Sequence, residues 1–99
     1  MKRLEHLLII ATEECAEVQQ AVTKTLRFGL EEGRDLSAVE YGSNVERMRH
    51  ELNDLLAMVE MLEVEGLDLS PDHQSRKQKK EKVEKYLLYS KECGTLSDS

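Results

Sequence analysis

Apolar residues recur every three or four positions through two long stretches of this chain, and that spacing predicts two amphipathic helices. Leu4, Leu7, Leu8, Ala11, Cys15, Val18, Val22 and Leu26 form the first stripe, a helix of about 27 residues ending near Gly29. Glu14 and Glu17 fall on one flank of that stripe, in line with Ile10, Ala21, Lys24 and Phe28, while Glu13 points further toward the polar side. Val45, Met48, Leu52, Leu55, Val59 and Leu62 form the second stripe, with Glu51 and Asp54 on its flank and Met58 and Met61 beyond them. Ser43-Asn44-Val45-Glu46 is a capping-box pattern that opens this helix, and Gly66 closes it.

A third helix is predicted from Ser70-Pro71-Asp72, which supplies an N-cap, a proline at the first helical position and an early acid. It runs to about Ser90, with Gly94 as its stop. Its apolar face is thin, Val83 and Leu87 with Tyr86 and Leu88, so it needs a partner surface, either another subunit or the first two helices. Gly29 to Gly42 reads as a loop, serving as a lid over a site or as a plain link. The expected fold is all-α: an antiparallel helical bundle of two long helices plus a C-terminal helix. The domain spans residues 1–94, and 95–99 form a flexible tail.

The chain has 99 residues, no Trp and one Phe, so its core is aliphatic and thin. Small domains bury a modest share of their surface, and self-association is expected for that reason. The net charge of −6 argues against a nucleic-acid polymer as partner. That charge is uneven. Arg76, Lys77, Lys79, Lys80, Lys82 and Lys85 stand together against Glu81 and Glu84, while the rest of the chain carries 8 basic and 18 acidic residues. An acidic body with one cationic strand suits a metal site and a phosphate-bearing ligand; the alternative is a solvated helix face laced with ion pairs.

Cys15 and Cys93 are too few and too far apart for a zinc motif or a disulfide framework, and Cys15 in the apolar stripe reads as core. Met1-Lys2-Arg3 opens with positive charge, but the apolar run Leu7–Ala11 is five residues, too short for a signal segment or a membrane span. The expected location is the cytoplasm, bacterial, or that of the host if the protein is phage-encoded.

The chemistry lies in the acids. Glu14-Cys15-Ala16-Glu17 and Glu51-Leu52-Asn53-Asp54 each place two carboxylates three residues apart, on one face of a helix. With the two helices antiparallel, the four converge. At roughly 5 Å and an effective dielectric of about 20, each like-charge pair costs about 3 kcal/mol. A hard divalent cation relieves that repulsion, and Mg²⁺ takes oxygen ligands. A ferritin-like di-iron site would need Glu-x-x-His on two helices, and no Glu stands three residues before His6, His50 or His73. His50 reads as a surface or interface residue pointing away from Glu51.

Glu13-Glu14-Cys15-Ala16-Glu17 followed by Glu51-Leu52-Asn53-Asp54 resembles the EExxE…ExxD signature of MazG-type all-α nucleoside triphosphate pyrophosphohydrolases. Lys82-Val83-Glu84-Lys85-Tyr86-Leu87 looks like that family's basic C-terminal helix, and the likeness spans roughly residues 4–90. The segment from Val18 to His50 is 33 residues, longer than usual for the family, and Tyr86 stands where a second basic residue is expected. The resemblance implies Mg²⁺-dependent hydrolysis of (deoxy)nucleoside triphosphates between the α and β phosphates, giving monophosphate and pyrophosphate, with Mn²⁺ as a substitute ion. By the same resemblance Glu14, Glu17, Glu51 and Asp54 are metal ligands, and Glu13 or Glu14 orients or deprotonates the attacking water. Lys82 and Lys85, together with Lys24 of the first helix, are the expected substrate-phosphate contacts. The resemblance also implies a homodimer or homotetramer with the site near a subunit interface. The competing class is a non-catalytic helical interaction or adaptor protein that docks through its basic C-terminal helix.

Overall fold

In a computed structural model, which describes residues 1–30 and 42–97, the chain is all-helical, with three helices and no strand among the described residues. These are α1 (Arg3–Phe28), α2 (Asn44–Val64) and α3 (His73–Glu92). The predicted loop falls mostly on residues 31–41, outside the described residues, as are the last two residues of the expected tail. The described chain divides into two compact units, Met1–Leu69 with α1 and α2, and Ser70–Ser99 with α3.

Within the first unit α1 and α2 pack antiparallel. The early residues of α1 meet the late residues of α2: Leu7 clusters with Met58 and Leu62, and Arg3 Nε lies 2.6 Å from Glu65 Oε1. At the other end Asn44 Nδ2 donates to Gly29 O at 2.7 Å, and Val45 N–H donates to Leu30 O at 3.1 Å. The start of α2 is thereby stitched to the end of α1. Gly29 has φ 95°, which a residue with a Cβ rarely adopts, so the chain leaves α1 where glycine permits the turn.

The caps follow from the sequence with one change. Ser43 Oγ accepts from Glu46 N–H at 3.1 Å, as the capping pattern requires. α2 ends in a Schellman turn, in which Leu67 N–H donates to Leu62 O, Gly66 N–H donates to Glu63 O, and the Leu67 side chain packs on the apolar cluster. For α3 the N-cap is Asp72 rather than Ser70, because its carboxylate reaches Gln74 N–H at 2.9 Å and the Ser75 hydroxyl at 2.9 Å. The Ser75 hydroxyl, then the backbone N–H groups of Ser75 and Gln74, hold the Asp72 carboxyl below its usual range. The expected tail is tied at its first residue, since Thr95 N–H donates to Ser90 O at 3.0 Å. No residue of α3 is buried in the single chain, where Val83, Tyr86 and Leu87 are all exposed.

The phase of the α1 stripe differs from the apolar pattern. The buried and half-buried positions are Leu4, Leu7, Ala11, Glu14, Val18, Ala21, Lys24, Thr25 and Phe28. Apart from Lys24 this is a seven-residue repeat, the average spacing of 3.5 that keeps one helix facing another. Cys15, expected in the core, is therefore exposed, and Glu14 takes its place facing α2. On α2 the buried set is Asn44, Arg47, Glu51, Met58 and Leu62, while Leu52 and Val45 of the expected stripe are exposed.

Leu62→Ala should lower the unfolding free energy by about 2–5 kcal/mol, the usual loss for a buried leucine. Glu60→Ala, at an exposed site on the same helix, should change it by less than about 0.5 kcal/mol. Urea titration followed by far-ultraviolet circular dichroism checks both.

Candidate metal centre

The seam between α1 and α2 has three zones. Leu7, Met58 and Leu62, flanked by Leu4, Ala11 and Leu67, close one end. At the loop end the seam is polar: Asn44 is 1% exposed and Arg47 5%, and Arg47 Nη2 donates to Gln20 Oε1 at 3.4 Å. Between these zones lie the acids. One oxygen each from Glu14, Glu51 and Asp54 come within 4.8 Å of one another. The antiparallel register produces this meeting, because Glu14 lies two turns past Leu7 on α1 while Glu51 and Asp54 precede Met58 on α2.

The three carboxylates differ in surroundings. Glu51 is 7% exposed, and among the described residues no hydrogen bond or ion pair reaches its carboxylate. The residue is packed into the seam, while its carboxylate oxygens keep some contact with solvent. Glu14 is half-buried, and its carboxyl is raised above the usual glutamate range. Burial is the main cause, followed by the charges of Asp54, Glu51, Glu17 and Glu13 in that order. Asp54 is half-buried like Glu14, and His50 Nε2 lies 3.4 Å from its Oδ2.

The donor set fits a hard divalent cation. Oxygens bound to one Mg²⁺ at about 2.0–2.1 Å are at most roughly 4.2 Å apart, so small side-chain shifts bring these three into range. All three are oxygen donors of one sign, the set that Mg²⁺, Mn²⁺ and Ca²⁺ take rather than softer metals.

The remaining sequence-derived candidates are placed as follows. Glu17 is exposed and stands outside the group of three, although its charge still acts on Glu14. Glu13 is exposed next to Glu14. Lys24 is half-buried and lies ten residues past Glu14, roughly 15 Å along the helix axis, so it does not join the acids. Lys82 and Lys85 are exposed on α3, with Lys82 Nζ 5.9 Å from the centre of the Tyr86 ring. His50 is a surface residue as expected, and its Nε2 reaches Asp54 rather than Glu51. The i,i+4 spacing of His50 and Asp54 was the signal for that contact. Asn44 and Arg47 escaped the sequence reading, though Asn44-Arg47-Glu51-Asp54 steps by three, four and three, the period of one buried face.

Comparison of the chain with protein-family models, with characterised proteins and with solved structures finds no match. No helix among the described residues is long and apolar enough to cross a membrane.

The raised carboxyl of Glu14 sets a pH dependence for the metal-free protein. Below the ordinary glutamate range Glu14 is protonated whether folded or unfolded, and contributes nothing. As pH rises through that range the unfolded chain releases its proton first, so the native state loses stability until its own raised pKa is passed. With chelator present, Glu14→Gln should therefore gain on the parent protein as pH rises above about 4, and the gap should level off above the raised value. Paired thermal melts across pH measure it.

Proposed function

We propose that this protein is a divalent-cation-dependent hydrolase of the MazG type, which cuts nucleoside triphosphates to monophosphate and pyrophosphate. The observation that carries the reading is the meeting of Glu14, Glu51 and Asp54 across α1 and α2, with Glu51 buried and unpartnered. The EExxE…ExxD resemblance supplies the reaction. When bound, Mg²⁺ or Mn²⁺ would neutralise triphosphate charge and lower the pKa of a water.

The chain's own groups have distinct tasks in this scheme. Glu14, Glu51 and Asp54 hold the ion. Glu17, one turn along α1 and exposed, is assigned to the same ion by the resemblance alone. Glu13 is open to solvent beside Glu14 and serves to orient and deprotonate the attacking water. The ammonium groups of Lys82 and Lys85 balance the charge that grows on departing pyrophosphate, an assignment resting on the resemblance alone. Lys24, further down the seam, is the weaker of the phosphate-contact assignments because of its distance from the acids.

We further propose that the working form is a homo-oligomer completing a MazG-like bundle. Among the described residues only Leu7, Ala21, Met58 and Leu62 are buried apolar residues, whereas Leu8, Ile9, Leu26, Leu52, Leu56 and Val64 are all exposed. So much uncovered apolar surface on a two-helix unit favours a partner. The exposed face of α3 equally suits the competing reading of an adaptor that docks through this helix.

A panel of ribo- and deoxyribonucleoside triphosphates with pyrophosphate detection tests the activity. Glu51→Gln and Asp54→Asn should each cut turnover by more than about a hundredfold, beyond the usual effect of disturbing an outer-shell partner. The metal-free variants should be as stable as the parent or more so, because each removes one charge from the repelling group. Lys82→Ala should weaken substrate handling and leave metal-induced stabilisation intact. Absence of turnover on every nucleotide, together with no response to Mg²⁺ or Mn²⁺, would favour the adaptor.

A further inference from the structure

We infer that His50 is a positioning residue that holds the Asp54 carboxylate toward Glu14 and Glu51, so that a divalent cation meets a preset three-carboxylate face. This rests on the metal reading of the cluster. Glu51 is 7% exposed, while Glu14 and Asp54 are half-buried. The Asp54 side chain is 44% exposed, so it has room to turn, and repulsion from the other two carboxylates favours rotamers that swing it outward. Among the described residues, His50 is the one group that makes an ion pair or hydrogen bond with Asp54, through Nε2 at 3.4 Å. The two side chains stand four residues apart on α2, so helix geometry holds them adjacent. A neutral ring faces Asp54 with a proton only as the Nε2–H tautomer, whereas a protonated ring carries one on each nitrogen. Carboxylate ligands are commonly oriented by such outer partners, and losing one typically weakens metal binding 10–100-fold. At 3.4 Å the contact is loose, and an effect of about tenfold is expected.

The test is calorimetric titration of the full chain with Mn²⁺ for the parent protein, His50→Ala, His50→Gln and Asp54→Asn, with thermal midpoints recorded in chelator. His50→Ala should weaken Mn²⁺ binding about tenfold while its metal-free midpoint stays near the parent's. His50→Gln, whose amide N–H can occupy the place of Nε2–H, should recover most of the loss. Parent-like affinity in His50→Ala overturns the inference, and the metal reading then stands as long as Asp54→Asn has lost binding. Equal weakness in the alanine and glutamine variants overturns it too, because donation to Asp54 would not be the cause. A parent protein that binds no Mn²⁺, or an Asp54→Asn variant that binds as the parent does, removes the metal reading and this inference together.

Discussion

Mutual repulsion among Glu14, Glu51 and Asp54 is the constraint on which the α1–α2 hairpin depends. Two helices that pair along a seven-residue repeat normally place apolar side chains at every facing position. Here the middle of the seam is given to carboxylates, one of them nine-tenths buried with no donor against it. Such an arrangement is unfavourable for the protein alone, and a shared cation would relieve it. The rise of the Glu14 carboxyl, caused first by burial and then by its acidic neighbours, is the same conflict seen in a proton equilibrium.

The flanking zones hold the acids together against that repulsion. Leu7, Met58 and Leu62 clamp one end, aided by the Schellman turn that folds Leu67 back onto them. The Asn44–Gly29 bond and the Arg47–Gln20 bond fasten the other. Each zone is small, so the site sits on a scaffold with little stability to spare. Ligand binding on such a scaffold has a large fractional effect on folding, which links the function proposed here to something a melting curve can read.

Much of this was legible in the amino-acid pattern. The three helices, the Ser43 cap and the Gly66 stop follow from local rules that the tertiary structure does not override. The convergence of Glu14 with Glu51 and Asp54 also follows, since spacing and antiparallel pairing suffice to bring them together. The phase of the α1 stripe was not legible. A reading by hydrophobicity places Cys15 inside and leaves Glu14 on the flank, because a glutamate facing a partner helix looks too unfavourable. Local pattern and global packing disagree at that position, and such disagreements gather at functional sites. Asn44 and Arg47 were hidden for the same reason: polar side chains filling the facing positions of α2 do not register as a stripe. What covers α3 was also beyond the pattern, since a thin apolar face reports the need for a partner and not its identity.

The central claim is that the three carboxylates form a cation site, and the thermal midpoint of the parent protein tests it most directly. The melt is run in chelator and then with Mg²⁺ or Mn²⁺ at about a hundred times its dissociation constant. Selective binding to the native state at that level adds about 2.7 kcal/mol. For a domain of this size that is a rise on the order of 10 °C. A midpoint that stays the same in chelator, Mg²⁺ and Mn²⁺ would contradict the account.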